Sequence, residues 1–198
     1  MDTLAPLQGV VVRQLKEWGE IVTGLEHRNK YVVSDPAGGE VLFAGEAGGS
    51  TLERLFLKNW RSFQIDVRSR DGRRALELRR PLQWYFHRLE VRNPDERLLG
   101  VVRREFAWFR RLYRVSDAQG RTVYTLFGPL RHPWTFEVRS GDRVAGRIVK
   151  KWVGLGKEAL TKADTFGVTF PADCTPEIKA VLLGAVFLID FVHFEHSQ

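Results

Sequence analysis

From Ala180 to Ile189 the chain runs ten residues without a polar side chain, inside the segment TPEIKAVLLGAVFLIDFVHFE between Thr175 and Glu195. A helix that is apolar on every side must be enclosed by lipid or by protein, because a surface helix shows a polar stripe at its 3.6-residue period. The start is well marked. Thr175 is placed to cap free N–H groups, Pro176 suits the first helical position, and Glu177 favours the positive end of the helix dipole. A bilayer core needs roughly 20 apolar residues, whereas here Lys179 and Asp190 bracket a shorter run and His193 and Glu195 follow it. The segment therefore reads as a helix buried in protein, with Ala180, Val181, Leu182, Leu183, Gly184, Val186, Phe187 and Ile189 as its core face. Asp190 reads as a charge at the helix exit, reaching solvent or an Arg at a strand end.

What encloses it is legible upstream. From Tyr31 the sequence falls into five units of two short alternating strands around a polar turn, beginning at Tyr31, Phe63, Arg88, Leu112 and Phe136. Their centres, Asp35-Pro36, Asp71-Gly72, Asn93-Pro94-Asp95, Gln119-Gly120 and Gly141-Asp142, are hairpin tips built from turn formers. Flanks such as Phe63, Ile65 and Val67 alternate with Arg-rich positions, so one sheet face is dry and the other wet. Adding a strand at Gly9 to Leu15 with its partner and a late strand at Thr165 to Phe170 gives about twelve or thirteen antiparallel strands. That is more than an open twisted sheet holds comfortably. The predicted fold is mainly β, a closed antiparallel barrel of about twelve strands around the buried C-terminal helix. One domain is expected over residues 1–198, with 1–8 a loose start and 175–194 the central helix and C-terminal tail.

In such an up-and-down barrel the hairpin tips share one end and the links between hairpins share the other. The links run Glu53 to Arg61, Arg79 to Arg88, Arg103 to Arg111, Gly128 to Phe136 and Lys150 to Lys157, and each contains Trp together with Lys or Arg. Indole rings settle at headgroup level and cations attract anionic lipid, so the link end is the expected lipid-binding rim. Its residues are Trp60, Arg79, Arg80, Trp84, Tyr85, Phe86, Arg88, Trp108, Arg110, Arg111, Trp134, Lys150, Lys151 and Trp152. The same chemistry would also grip single-stranded nucleic acid by stacking and phosphate contact, and any one of these aromatics could instead plug the barrel end.

Charge is uneven. Residues 52–151 hold 24 Lys+Arg against 11 Asp+Glu, while the remainder hold 7 against 13. A basic middle points to a polyanionic partner, membrane or nucleic acid. The single cysteine, Cys174, excludes an intramolecular disulfide, reads as inert and suits a reducing cytosolic compartment. The opening MDTLAPLQG lacks the pattern of a secretion signal. No Gly-rich phosphate loop, nucleophile elbow or paired metal-ligand spacing occurs, so the sequence does not read as an enzyme. His193 and His196 read as a frayed, solvated tail.

The segment from Lys150 to Glu195, above all DTFGVTFP, KAVLLGA and FLIDFVHFE, resembles the C-terminal signature of the phospholipid scramblase family. EIVTGLEHRNKYVV at Glu20 to Val33, RRPLQ at Arg79 to Gln83 and FGPL at Phe127 to Leu130 extend the resemblance over nearly the whole chain. It implies a tubby-like barrel of twelve strands around a C-terminal hydrophobic helix. It also implies a protein at the cytoplasmic face of anionic membranes that moves phospholipid between leaflets without ATP or covalent chemistry. The other reading is a cytosolic tubby-like scaffold that senses lipid or binds nucleic acid. Three departures bear on this. The family's calcium segment falls at Lys162 to Asp173, where Asp164, Gly167 and Asp173 match but Lys162 replaces an acid; with Phe166, Val168 and Phe170 alternating, the segment reads as a strand, and no cofactor is expected to be required. The cysteine cluster that is palmitoylated in animal members is replaced near Leu82 to His87 by QWYFHR, and their Pro-rich extension has no counterpart in this sequence. If Trp84, Tyr85 and Phe86 replace acyl chains as a reversible anchor, Trp84→Ala with Phe86→Ala should weaken co-sedimentation with phosphatidylserine liposomes; unchanged binding would rule the anchor out.

Overall fold

The computed structural model describes residues 3–15, 30–47, 63–81, 87–108, 110–132, 134–150 and 165–193. Six strands come first: β1 (Gly9–Leu15), β2 (Lys30–Ser34), β3 (Glu40–Ala47), β4 (Phe63–Ser69), β5 (Arg74–Arg80) and β6 (Arg88–Arg92). Six follow: β7 (Leu98–Glu105), β8 (Arg111–Asp117), β9 (Thr122–Gly128), β10 (Thr135–Ser140), β11 (Arg143–Lys150) and β12 (Thr165–Thr169). Each is antiparallel to its sequence neighbours. β12 pairs with both β11 and β1, so the sheet closes into a twelve-stranded barrel. Helix α1 (Pro176–His193) is the element inside it.

The five hairpins share one construction. In each the register shifts by one residue just before the turn, after Val33, Val67, Val91, Val115 and Val138. Four of the turns then pair the same backbone groups, as in Asp117 N to Arg121 O and Gly120 N to Asp117 O, both 3.0 Å. This closure needs a left-handed residue before the second strand, supplied by Gly38, Gly72 and Gly120. The fourth of these turns uses Glu96 instead, at φ 62°.

Alternation puts Val10, Val12, Leu42, Val67, Leu76, Leu78, Leu89, Val91, Val115, Leu126, Val138 and Ile148 inside the barrel, where they meet a helix buried without a break from Ile178 to Phe191. A barrel of this width leaves a lumen that strand side chains alone do not fill, and the helix fills it. Closest approach is at small residues. A Cβ on Gly184 would lie 2.7 Å from Val91 Cγ2 and 3.2 Å from Leu89 Cδ2, and one on Gly100 of β7 would lie 2.7 Å from Val181 Cγ2.

Two buried charged side chains interrupt the apolar helix surface, and each is matched at one end of the barrel. Lys179 donates to the carbonyls of Ala5 (2.7 Å), Leu7 (2.8 Å) and Leu4 (3.4 Å), and Leu4 is itself fully enclosed. Described residues 3–8 are thus pinned across the tip end; the expectation of a loose start is corrected, because a buried ammonium needs those acceptors. At the other end Asp190 is buried, 3.5 Å from Lys150 Nζ and 3.4 Å from the Tyr31 hydroxyl that donates to it. It is turned in from solvent and held at the end of a strand by a Lys. No helix among the described residues is long and apolar enough to cross a membrane. Gly184→Asp would force a carboxylate against Val91 and Leu89 at a cost of several kcal/mol, a large share of the roughly 5–15 kcal/mol that holds a domain together. The variant should fail to fold, read by circular dichroism and thermal melting; an unchanged melting temperature would refute the assignment of this helix to the barrel core.

Candidate functional site

Among the described residues the link end carries four of the five exposed large apolar side chains, the fifth being Val144 beside the last hairpin tip. Phe106 and Trp108, just after β7, are 72% and 81% exposed, with their rings edge to face at 5.6 Å. Leu130 and Trp134, between β9 and β10, are 60% and 41% exposed. Large apolar groups left this open on a folded chain mark a surface that meets another apolar phase.

Their loops are fixed from beneath. The turn at 129–132 closes with His132 N donating to Pro129 O at 3.2 Å, and Thr135 N donates to His132 O at 3.0 Å. Lys150 N then donates to Trp134 O at 2.7 Å. Arg111, at the start of β8, reaches across to this second link and donates to Pro129 O (3.4 Å) and His132 O (3.3 Å) while lying over the Phe136 ring at 4.7 Å. One guanidinium therefore ties the Trp108 link to the Trp134 link. Arg110 and Arg131 stay exposed beside the aromatics, so this part of the rim is apolar and cationic together.

Of the rim residues expected from sequence, Trp108, Arg110, Arg111 and Trp134 are brought together here. Trp60, Trp84, Tyr85, Phe86, Lys151 and Trp152 lie outside the described residues. Arg79 and Arg88 sit on the outer wall in carboxylate pairs: Arg79 with Glu77 at 2.6 Å and Glu96 at 3.4 Å, Arg88 with Glu90 at 2.8 Å. Two assignments are corrected. Arg80 points inward, 2% exposed, with its guanidinium over the Phe191 ring at 4.3 Å and an Nη2 to His87 Nδ1 distance of 2.5 Å. Lys150 points inward to Asp190. Both occupy the last residue of a strand whose side chain alternates to the lumen, and there each serves the helix. Phe106, Leu130 and Arg131 were missed. Their signal was an apolar or basic side chain on a link, with no period-two partner to take it inside.

Beneath the rim lies a buried polar layer around the helix C-terminus. Burial keeps the Tyr113 hydroxyl protonated, and it shares a hydrogen bond with His193 Nε2 at 2.8 Å, the ring tautomer setting which of the two donates. His193 also packs against Phe136 at 5.9 Å. It is an anchored residue and no frayed tail. Burial, reinforced by Arg104, Arg111 and His87, pushes His193 down to about 3. Burial with Arg80 and Arg104 pushes His87 down to about 4.

The calcium reading meets a poor donor set. Calcium takes six to eight oxygens, and the described part of that segment offers the Asp173 carboxylate, which accepts the Tyr124 hydroxyl at 3.1 Å. Phe166, Gly167 and Val168 are buried in β12 between β1 and β11. Asp164 lies outside the described residues, and among those described no group of three or more His, Cys, Asp or Glu converges. Burial pushes the Cys174 thiol up to about 11, so it stays protonated at neutral pH.

Both histidines are neutral in the fold and take a proton when unfolded near 6.5. Stability from this term is complete above that pH and falls as pH drops from about 6.5 towards 3, by at most ~1.4 kcal/mol per unit for each ring. The melting temperature should fall over this window, and His193→Gln should flatten the fall; identical slopes for the two proteins would contradict the neutral assignment.

The family model described as Scramblase matches residues 1–196. Over 211 aligned residues the chain is 29% identical to phospholipid scramblase family member 5 of Homo sapiens, covering all of this chain and 78% of that protein. It is 31% identical to phospholipid scramblase 1 of Mus musculus and 30% to that of Homo sapiens, where it spans 64% and 66% of the relative's length. A solved structure of a protein from Arabidopsis thaliana shares the fold, with TM-score 0.53 and 13% identity over 95% of this chain and 92% of that one.

Proposed function

The chain belongs to the phospholipid scramblase family, and from that premise we propose that its link end is the face it sets against anionic phospholipid, at the cytoplasmic side of the membrane. The single observation behind this reading is the exposed set Phe106, Trp108, Leu130 and Trp134 beside Arg110 and Arg131. Aromatic and aliphatic tips partition into the boundary between headgroups and acyl chains. Each cation near an anionic surface adds about 1 kcal/mol.

The barrel itself is a poor membrane span. Its outer wall carries Arg88, Arg103, Arg114 and Arg139, and an Arg on a lipid-facing barrel wall costs roughly 2–4 kcal/mol at the bilayer midplane. Its lumen is filled by helix α1, which leaves no water path for a headgroup. Movement of lipid between leaflets would therefore run at the rim, where inserted side chains disturb leaflet packing and cations receive headgroups. No bond is made or broken, so no catalytic residue is needed. Nor does the rim use calcium.

Phe106→Ala with Trp108→Ala should weaken co-sedimentation with phosphatidylserine vesicles by tenfold or more, taking about 1 kcal/mol or more for each side chain withdrawn from the interface. Dithionite quenching of labelled lipid in proteoliposomes, with and without calcium, then separates binding from scrambling. Wild type should bleach the inner leaflet at the same rate in both conditions. Unchanged vesicle binding by the double variant would overturn the rim, and binding without scrambling would leave a peripheral lipid sensor.

A further inference from the structure

Arg110 and Arg111 are neighbours in the chain with different surroundings. Arg110 is exposed, its guanidinium 5.9 Å from the ring of Phe127, a half-buried outward residue of β9. Arg111 falls on the same face of β8 as Tyr113 and Val115, both fully buried in the lumen. At the mouth of the barrel its side chain therefore turns in over the strand ends. Gly128 of β9 stands directly opposite. A Cβ there would lie 3.1 Å from Arg111 Cβ and 2.7 Å from Phe136 Cε1. The missing side chain is what lets Arg111 close onto the Phe136 ring, 4.7 Å from its guanidinium. That ring in turn packs on Tyr113 and His193, each at 5.9 Å.

We propose that Arg111 is a positioning residue, holding the Trp108 and Trp134 links together as one wedge, while Arg110 beside it is the cation that faces lipid. The inference rests on the rim reading and deepens it. Arg111 Nη2 donates to Pro129 O at 3.4 Å and to His132 O at 3.3 Å, the two ends of the turn that carries Leu130. His132 O also accepts from Thr135 N at 3.0 Å, so the same carbonyl fixes the residue after Trp134. Phe106 and Trp108 lie on the link that ends at Arg111 itself. A guanidinium suits this place because it is planar, stacks on a ring and keeps donors along its edge. Lysine keeps the charge but has no plane, and its nitrogen ends one bond short of Nη2.

The joint matters because the apolar tips come from two links. Links that moved independently would each have to be ordered at the surface, and the apparent affinity would fall with the fraction of molecules in the joined arrangement. Joined, Phe106, Trp108, Leu130 and Trp134 enter as one multivalent contact. A cation engaged with two carbonyls and a ring is not offered to a phosphate, whereas Arg110 and Arg131 stand exposed for that contact.

Spin labels on Ala107→Cys and Arg131→Cys, with the buried Cys174 replaced by Cys174→Ala, read the gap between the links in the free protein. Vesicles of phosphatidylserine and phosphatidylcholine read its consequence. The labelled parent and Arg110→Gln should each give one narrow distance distribution, and Arg111→Lys and Arg111→Gln a broad one. Arg111→Lys, which keeps the charge, should bind vesicles about tenfold more weakly than wild type, as when the joined population is cut to about a tenth. Arg110→Gln should instead flatten the salt dependence of binding, since it removes one surface cation. Arg111→Lys binding as tightly as wild type would make Arg111 a lipid-facing charge, overturning the joint and leaving the rim standing. A narrow distance kept by both Arg111 variants would overturn the joint as well. Wild type that binds no vesicle would remove the rim, and this role for Arg111 with it.

Discussion

A helix with no polar face inside a closed sheet is the interaction on which the rest depends. The twelve strands have one dry side each, and closure turns those sides inward around a space that their own side chains do not fill. Helix α1 supplies the missing volume from Ile178 to Phe191. Neither part is stable alone: the sheet without the helix encloses a void, and the helix without the sheet exposes Leu182, Leu183, Val186 and Ile189 to water.

The helix also orients the molecule. Its two buried charges are anchored at opposite ends, Lys179 on the carbonyls of the N-terminal turn and Asp190 on Lys150 and Tyr31. The first closes the tip end. The second, with Arg80 over Phe191 and Tyr113 bonded to His193, builds a polar floor under the link end. That floor holds the strand ends from which the Trp108 and Trp134 links rise, and Arg111 joins the two links above it. A stiff base lets Phe106, Trp108 and Leu130 stand exposed without collapsing back onto the barrel.

Much of this was legible from residue order. Period-two alternation, turn formers at five centres and the unbroken apolar run led to the strand count, the closed barrel and the buried helix, because each is a local pattern whose only good burial is mutual. The tryptophans on the links were legible as a set. Arg80 and Lys150 were misplaced because a basic residue at a strand end looks the same in sequence whether its side chain turns out to water or in to a helix terminus. Asp190 and His193 were misread for the same reason: their partners, Lys150 and Tyr113, are 40 and 80 residues away.

The sequence by itself determined what must be buried and how often the chain must turn, since hydrophobic period and turn chemistry are properties of neighbouring residues. Tertiary structure alone decided which charges face each other. Arg88, Arg103 and Arg114 stand in one row only because three strands pair in one register, and a shift of a single residue would have sent alternate side chains to the opposite face. It also decided which apolar link residues remain in the open, because exposure depends on what the closed barrel has no room to enclose.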